Sequence, residues 1–210
     1  MTPHLTAREI CQLGPVLPVL VVENVADAVP LATALLKGGI RALEVTLRTK
    51  HALDVIREMA TVDGAIIGAG TVMTPHDLDA VQMAGAQFSL SPGGTQTLKR
   101  AATASAMPFI PGAATASEVM AHLEDGYDVQ KFFPAEINGG MRALKAIGSP
   151  IPQVQFCPTG GVTQDNAAQY LALKNTLCVG GSWIAPATLI AEKNWSEITA
   201  RAAMASAMTA

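Results

Sequence analysis

The sequence predicts an α/β fold, a single (β/α)₈ TIM barrel with a short N-terminal helix, spanning residues 1–210. Three observations carry that expectation. Short apolar runs alternate with helix-period segments along the whole chain. No polar low-complexity stretch, charge block or linker marks a domain boundary. Pairing each run with the helix after it gives about eight units, the number that closes such a barrel. At roughly 100–200 residues per domain, 210 residues suit one large domain or two small ones, and the unbroken alternation favours one. An open doubly wound sheet uses the same alternation and is the structural alternative.

The strand-like runs, in order, are Pro15 to Val22, Ile40 to Leu47, Ala65 to Ala69, Gln87 to Leu90, Met107 to Ile110, Asp128 to Phe133, Gln153 to Cys157 and Thr176 to Val179. Each is short, often β-branched and bounded by Gly or Pro, as buried parallel strands are. Between them, Val25 to Leu36 is apolar at helical spacing and stops before Gly38-Gly39. Thr74-Pro75-His76-Asp77 places a capping residue before a proline at the first helical position. Ala116 to Leu123 and Asn138 to Ile147 complete the helices that can be placed individually. Within the second strand, Leu43, Val45 and Leu47 share one face and Ala42, Glu44, Thr46 and Arg48 the other. In a barrel the first face packs on helices and the second points inward, toward the mouth where active sites form.

Half the residues are hydrophobic and 15% are charged, so a sizeable core is available and global disorder is excluded. A formal net charge of -3 gives no electrostatic footprint for nucleic acid or an anionic membrane. Three scattered cysteines, Cys11, Cys157 and Cys178, without a CxxC pair, read as reduced thiols in a cytoplasmic protein. The apolar run Pro15 to Val22 is too short to span a bilayer, and what precedes it lacks the layout of a secretory signal. Asn194-Trp195-Ser196 fits a glycosylation acceptor but, without an export signal, is taken as chance.

Lys131 interrupts the apolar strand Asp128-Val129-Gln130-Lys131-Phe132-Phe133-Pro134. An unpaired buried charge costs several kcal/mol, so this lysine must find a carboxylate, reach solvent or lose its proton. The third course yields a nucleophilic amine suited to a ketone. A lysine snorkelling from an edge strand is the plain alternative. Glu44 could shuttle protons near a nascent imine, and Arg48 offers a planar fork for a substrate carboxylate. Four residues of strand separate those two by roughly 13 Å, against a direct bond between them. Thr159-Gly160-Gly161 follows the seventh run and Gly180-Gly181-Ser182 the eighth, the recurrent phosphate position of such barrels. Backbone amides there can approach phosphate oxygens closely, and Ser182 can add a hydroxyl.

Other candidates fall away. Gly68-Ala69-Gly70 begins like a dinucleotide fingerprint, but Met73 stands where the third glycine belongs. His4, His51, His76 and His122 show no metal-ligand spacing, so no metal is expected. Cys157 reads as core, and the nine methionines as core filler.

The stretch Gly39 to Arg48, reading GIRALEVTLR, resembles the glutamate motif of the 2-keto-3-deoxy-6-phosphogluconate aldolases. Lys131-Phe132-Phe133-Pro134-Ala135-Glu136, followed by Asn138-Gly139, resembles that family's Schiff-base lysine motif. The likeness continues through Gly68 to Thr71, Ser91-Pro92-Gly93, Pro111-Gly112, Cys157 to Gly161 and Gly180 to Trp183, in order and over nearly the whole chain.

The resemblance implies a class I aldolase of the Entner–Doudoroff pathway, a homotrimer without cofactor. It would cleave the phosphorylated keto sugar acid to pyruvate and glyceraldehyde 3-phosphate, with 4-hydroxy-2-oxoglutarate cleavage and oxaloacetate decarboxylation as side activities. By the same resemblance Lys131 forms the imine and Glu44 is the general acid/base. Arg48 and Thr71 hold the pyruvate carboxylate, and Pro92 walls its pocket. Thr159 lies beside the new stereocentre, and Gly160, Gly161, Gly181 and Ser182 receive the phosphate. One position departs from the family: an apolar residue usually precedes the lysine, and here it is Gln130. Alternation turns Gln130 away from Lys131, toward the helix layer or a subunit interface, where its amide needs partners. Rival readings are another enzyme on the same barrel, the phosphogalactonate aldolase acting on the C4 epimer, and a non-catalytic phosphate-ligand-binding barrel.

Overall fold

A computed structural model describes residues 5–209; His4 lies outside them. The strands are β1 (Val16–Leu20), β2 (Ala42–Thr46), β3 (Ile66–Gly70), β4 (Phe88–Leu90), β5 (Phe109–Ile110), β6 (Gly112–Ala113), β7 (Val129–Phe132), β8 (Gln155–Pro158) and β9 (Val179–Gly181). All pair in parallel. They form a six-stranded sheet, β5-β4-β3-β2-β1-β9, and a three-stranded sheet, β6-β7-β8. Isolated bridges from Phe156 to Thr176 and from Thr159 to Gly180 join the far edges of the two.

Pro111 explains why the fifth predicted run appears as two strands. It has no N–H for the ladder, so β5 stops before it and β6 resumes after it beside β7. Its carbonyl still accepts from the Lys131 N–H at 2.8 Å.

The helices are α1 (Ala7–Cys11), α2 (Ala28–Lys37), α3 (Ala52–Met59), α4 (Pro75–Met83), α5 (Gln96–Ser105), α6 (Ala116–Glu124), α7 (Gly140–Gly148), α8 (Gln164–Leu171), α9 (Ala187–Ala191) and α10 (Trp195–Ser206). Thr74 caps α4 in a reciprocal box with Asp77, as its sequence indicates. The Val25 segment opens as a single 3₁₀ turn before α2. The helix expected from Asn138 starts at Gly140, because Asn138 and Gly139 form a turn on the carbonyls of Pro134 and Glu136. Asn194 caps α10 through the Glu197 N–H at 3.2 Å, which gives the Asn-Trp-Ser triplet a structural role.

Strand alternation sorts the core in two. One set of side chains, including Leu43, Val45, Ile67, Phe132 and Phe156, packs against the helices. The other comprises Leu17, Ala42, Ile66, Phe88, Leu90, Ile110, Val129, Cys157 and Cys178, drawn from both sheets, with Ile10 and Cys11 of α1 beneath. Helix α1 thus covers the amino ends of the strands and leaves their carboxyl ends to the site. Among the described residues, no helix is long and apolar enough to cross a membrane.

Candidate active site

Lys131 takes the first of its three courses: it finds a carboxylate. Its Nζ donates to Glu44 Oε1 at 3.0 Å, with Lys131 5% exposed and Glu44 fully buried. Strand alternation aims both inward, from β7 and β2. Glu44 Oε2 is buried and makes no hydrogen bond among the described residues. A buried ion pair with one oxygen unspent is a poor stabilising device, since desolvation offsets much of the attraction. The Phe133 ring lies 5.4 Å from Nζ by its centroid, two residues on and on the same pleat face.

Gly70 is what lets Glu44 sit there. A Cβ on Gly70 would fall on the Glu44 carboxylate, 2.8 Å from Cδ and 2.9 Å from Cγ. Thr46, next on that face of β2, donates from Oγ1 to the Leu20 carbonyl at 3.0 Å and fixes the strand end.

Above the pair lies a cavity of about 670 Å³, lined by Val19, Val21, Arg48, Phe133, the Thr159–Thr163 turn, the Gly180–Trp183 turn and the start of α9. Val19 is the register partner of Glu44 in β1, and Cys157, two residues before Thr159, is the partner of Lys131 in β8. The cavity therefore lies next to the lysine, at the carboxyl ends of the strands; its wall includes Phe133 and Val19 but neither Lys131 nor Glu44 itself. Thr159 is 5% exposed and donates from Oγ1 to the Cys157 carbonyl at 3.3 Å. A Cβ on Gly180 would strike this threonine, and one on Gly181 would strike the Trp183 ring, so both glycines are required by close approach.

The structure thus brings together Lys131, Glu44, Arg48, Thr159, Gly160, Gly161, Gly181 and Ser182 at one end of the fold. Thr71 and Pro92 follow β3 and β4 on the same rim without lining this cavity. Thr71 is held at a left-handed φ of 63°, immediately after Gly70. Arg48 is exposed in the turn beyond β2 and makes no bond to Glu44, as the strand rise requires. Residue reasoning missed the roles of Val19, Phe133 and Trp183. The alternation from Lys131 could have found Phe133; Val19 needs the register between strands distant in sequence.

Gln130 turns toward the helix layer. It is fully buried, and its amide donates to the carbonyls of Val119 in α6 and Tyr127 at 3.0 and 2.9 Å, while its own oxygen has no partner. His122 of α6, 3% exposed, contacts the Gly112 carbonyl through Nε2 at 2.9 Å. Gly112 is the register partner of Lys131. Burial, against the Gly112 bond, pushes His122 below the ordinary histidine range. Cys157 is free and lies in the inner core.

These features define a class, an α/β enzyme built around a buried lysine–carboxylate pair beneath glycine turns. The chain belongs to the KDPG and KHG aldolase family, whose model matches residues 7–201. It is 52% identical over 195 residues to the KHG/KDPG aldolase of Escherichia coli strain K12, covering 92% of each chain. The KDPG aldolase of Legionella pneumophila, solved with pyruvate captured at low pH as a covalent carbinolamine, superposes with a TM-score of 0.95 at 46% identity, covering 97% of this chain and 99% of that one. The aldolase of Zymomonas mobilis ZM4 with 3-phosphoglycerate gives a TM-score of 0.94 at 48% identity, covering 97% and 96%.

Proposed function

We propose that this protein is a class I aldolase, one domain over residues 1–210, that cleaves 2-keto-3-deoxy-6-phosphogluconate reversibly to pyruvate and D-glyceraldehyde 3-phosphate. The step belongs to the Entner–Doudoroff pathway, and 4-hydroxy-2-oxoglutarate is a second substrate. The observation that carries the proposal is the buried Lys131–Glu44 contact at 3.0 Å beneath a glycine-lined cavity. Relatives support both halves: the Legionella enzyme holds pyruvate covalently, the Zymomonas enzyme holds a phosphorylated three-carbon acid, and the Escherichia coli name joins the two activities.

Glu44 takes a proton from Lys131, and the freed amine attacks the C2 ketone to give a carbinolamine. Glu44, now protonated, assists loss of water, leaving a protonated imine. That imine is the electron sink, so the chemistry calls for no metal or cofactor. Glu44, acting through water, removes the C4 hydroxyl proton; the C3–C4 electrons pass into the imine, and the aldehyde departs. The enamine is reprotonated at C3 and hydrolysed to pyruvate. Arg48 and Thr71 hold the carboxylate against a wall at Pro92, Thr159 sets the face of attack, and Gly160, Gly161, Gly181 and Ser182 cradle the phosphate.

The same reading takes the two sheets as one closed (β/α)₈ barrel with β5 and β6 as a single strand. The bridges between β8 and the β9 region, and the continuity through Pro111, support it. The homotrimer and cytoplasmic location implied by the resemblance complete the proposal, with small molecules as its only partners besides its own copies. Pyruvate release from the phosphogluconate substrate and its C4 epimer, read by coupled reduction, tests the function. Preference for the phosphogluconate is expected. Preference for the epimer would reassign the substrate, and saturable binding without release would make the protein a non-catalytic binder.

A further inference from the structure

The Gly160–Gly161 turn is held from beneath by contacts outside the cavity wall. Glu136 donates its N–H to the Gly160 carbonyl at 3.0 Å, and Ala135 does the same to Thr159 at 2.8 Å. Gly161, at a φ of 82°, packs so closely on Glu136 that an added Cβ would lie 2.6 Å from its Cβ and Cγ. The Glu136 carboxylate is in turn tied down: Oε1 accepts a short hydrogen bond from the Tyr170 hydroxyl. Gly140 makes room for that bond, since an added Cβ would sit 3.1 Å from the phenol oxygen and 3.2 Å from Oε1. One turn earlier on α8, Asn166 donates from Nδ2 to the Gly161 carbonyl at 3.4 Å. Asn166 and Tyr170, at i and i+4, therefore lie on one helix face and both bear on Gly161, Asn166 directly and Tyr170 through the Glu136 side chain.

We infer that Tyr170, through Glu136, is a positioning residue for the phosphate turn and sets the preference for phosphorylated over unphosphorylated substrate. The inference rests on the proposed phosphate cradle at Gly160 and Gly161. Tyr170 pins the exposed Glu136 carboxylate toward α8, which keeps the Glu136 Cβ and Cγ packed beneath Gly161. Burial first, and then the Glu136 carboxylate, push the phenol upward in pKa, so it remains a donor.

The test compares 2-keto-3-deoxy-6-phosphogluconate with the same acid lacking phosphate. Tyr170→Phe and Glu136→Ala should each raise KM for the phosphorylated acid roughly tenfold, the scale of one lost charge-assisted hydrogen bond. Cleavage of the unphosphorylated acid should change far less. Glu136→Gln, which keeps an acceptor for the phenol, should rescue KM, and the Tyr170→Phe/Glu136→Ala pair should be non-additive. Equal losses on both acids, or an unchanged KM in both single variants, would overturn the inference. If the wild-type protein itself does not prefer the phosphorylated acid, the phosphate cradle fails and the inference with it. If the wild type has that preference and the variants keep it, the inference alone fails. Glu136 is exposed, so its variant tests the idea even where Tyr170→Phe perturbs the core.

Discussion

Lys131 Nζ lies 3.0 Å from Glu44 Oε1, joining β7 to β2 across 87 positions of sequence. Neither group has comparable access to water, and the second Glu44 oxygen makes no other bond. The proposed mechanism uses this contact: Glu44 takes the Lys131 proton, and the freed amine is its nucleophile.

Glu44→Gln preserves shape but removes the proton acceptor. Turnover should fall about 10²–10⁴-fold, the usual weight of a positioned acid/base, while some imine still forms with pyruvate. Steady-state kinetics beside adduct trapping measures both. An unchanged kcat would remove Glu44 from the mechanism.

Gly70→Ala is a more discriminating variant, because it leaves every proposed catalytic group in the sequence. The new methyl overlaps the Glu44 carboxylate, which must swing away from Lys131. Overpacking of this kind costs about 1–3 kcal/mol, and a displacement near 1 Å can cost about 10²-fold in rate. Loss of kcat in a protein that still melts cooperatively is expected; wild-type kcat would show that the geometry of the pair is not critical.

Gln130 illustrates the limits of reading by sequence. Alternation from Lys131 is enough to turn its side chain outward, yet only the fold supplies the Val119 and Tyr127 carbonyls that receive it. Gln130→Leu should cost at most about 1–3 kcal/mol, since the loss of the two amide donations is partly offset by removing the unpartnered Gln130 oxygen. kcat/KM should stay near wild type, since the amide faces away from the site. Denaturation midpoints and kinetics on one preparation separate the two effects, and a collapse of activity at full stability would contradict this assignment.

His122 makes stability depend on pH. Its folded value lies below the ordinary 6.5, chiefly through burial, and the Lys99 ammonium pushes the same way; Glu118 and Asp125 oppose it. As the pH falls through about 6.5, the unfolded chain takes up the proton first, so the native state loses stability on the acid side. Above that range the contribution is fully present. His122→Gln should flatten this acid slope in denaturant titrations. An equally steep slope in the variant would assign it to other groups.

Much of this architecture is legible without coordinates because each signal is local. A Gly or Pro beside a short apolar run marks a strand end, and Thr74-Pro75 with Asp77 marks a helix start. The inward Glu44 follows from a period of two, and the glycine turns after the last two runs mark the wall of the cavity. What stayed hidden depends on register between distant segments: Val19 beside Glu44, Gly70 beneath the carboxylate, and Tyr170 against Glu136. The break at Pro111 was written in the sequence, but its meaning, an interruption between the two sheets, appears only once β7 lies alongside.

The central claim is that Lys131 forms an imine with the substrate ketone. Incubation with pyruvate and borohydride, followed by peptide mass spectrometry, tests it most directly. A reduced pyruvate adduct on Lys131, absent without pyruvate, is the expected result. Pyruvate binding with no adduct, or an adduct confined to another lysine, would contradict the assignment and the mechanism built on it.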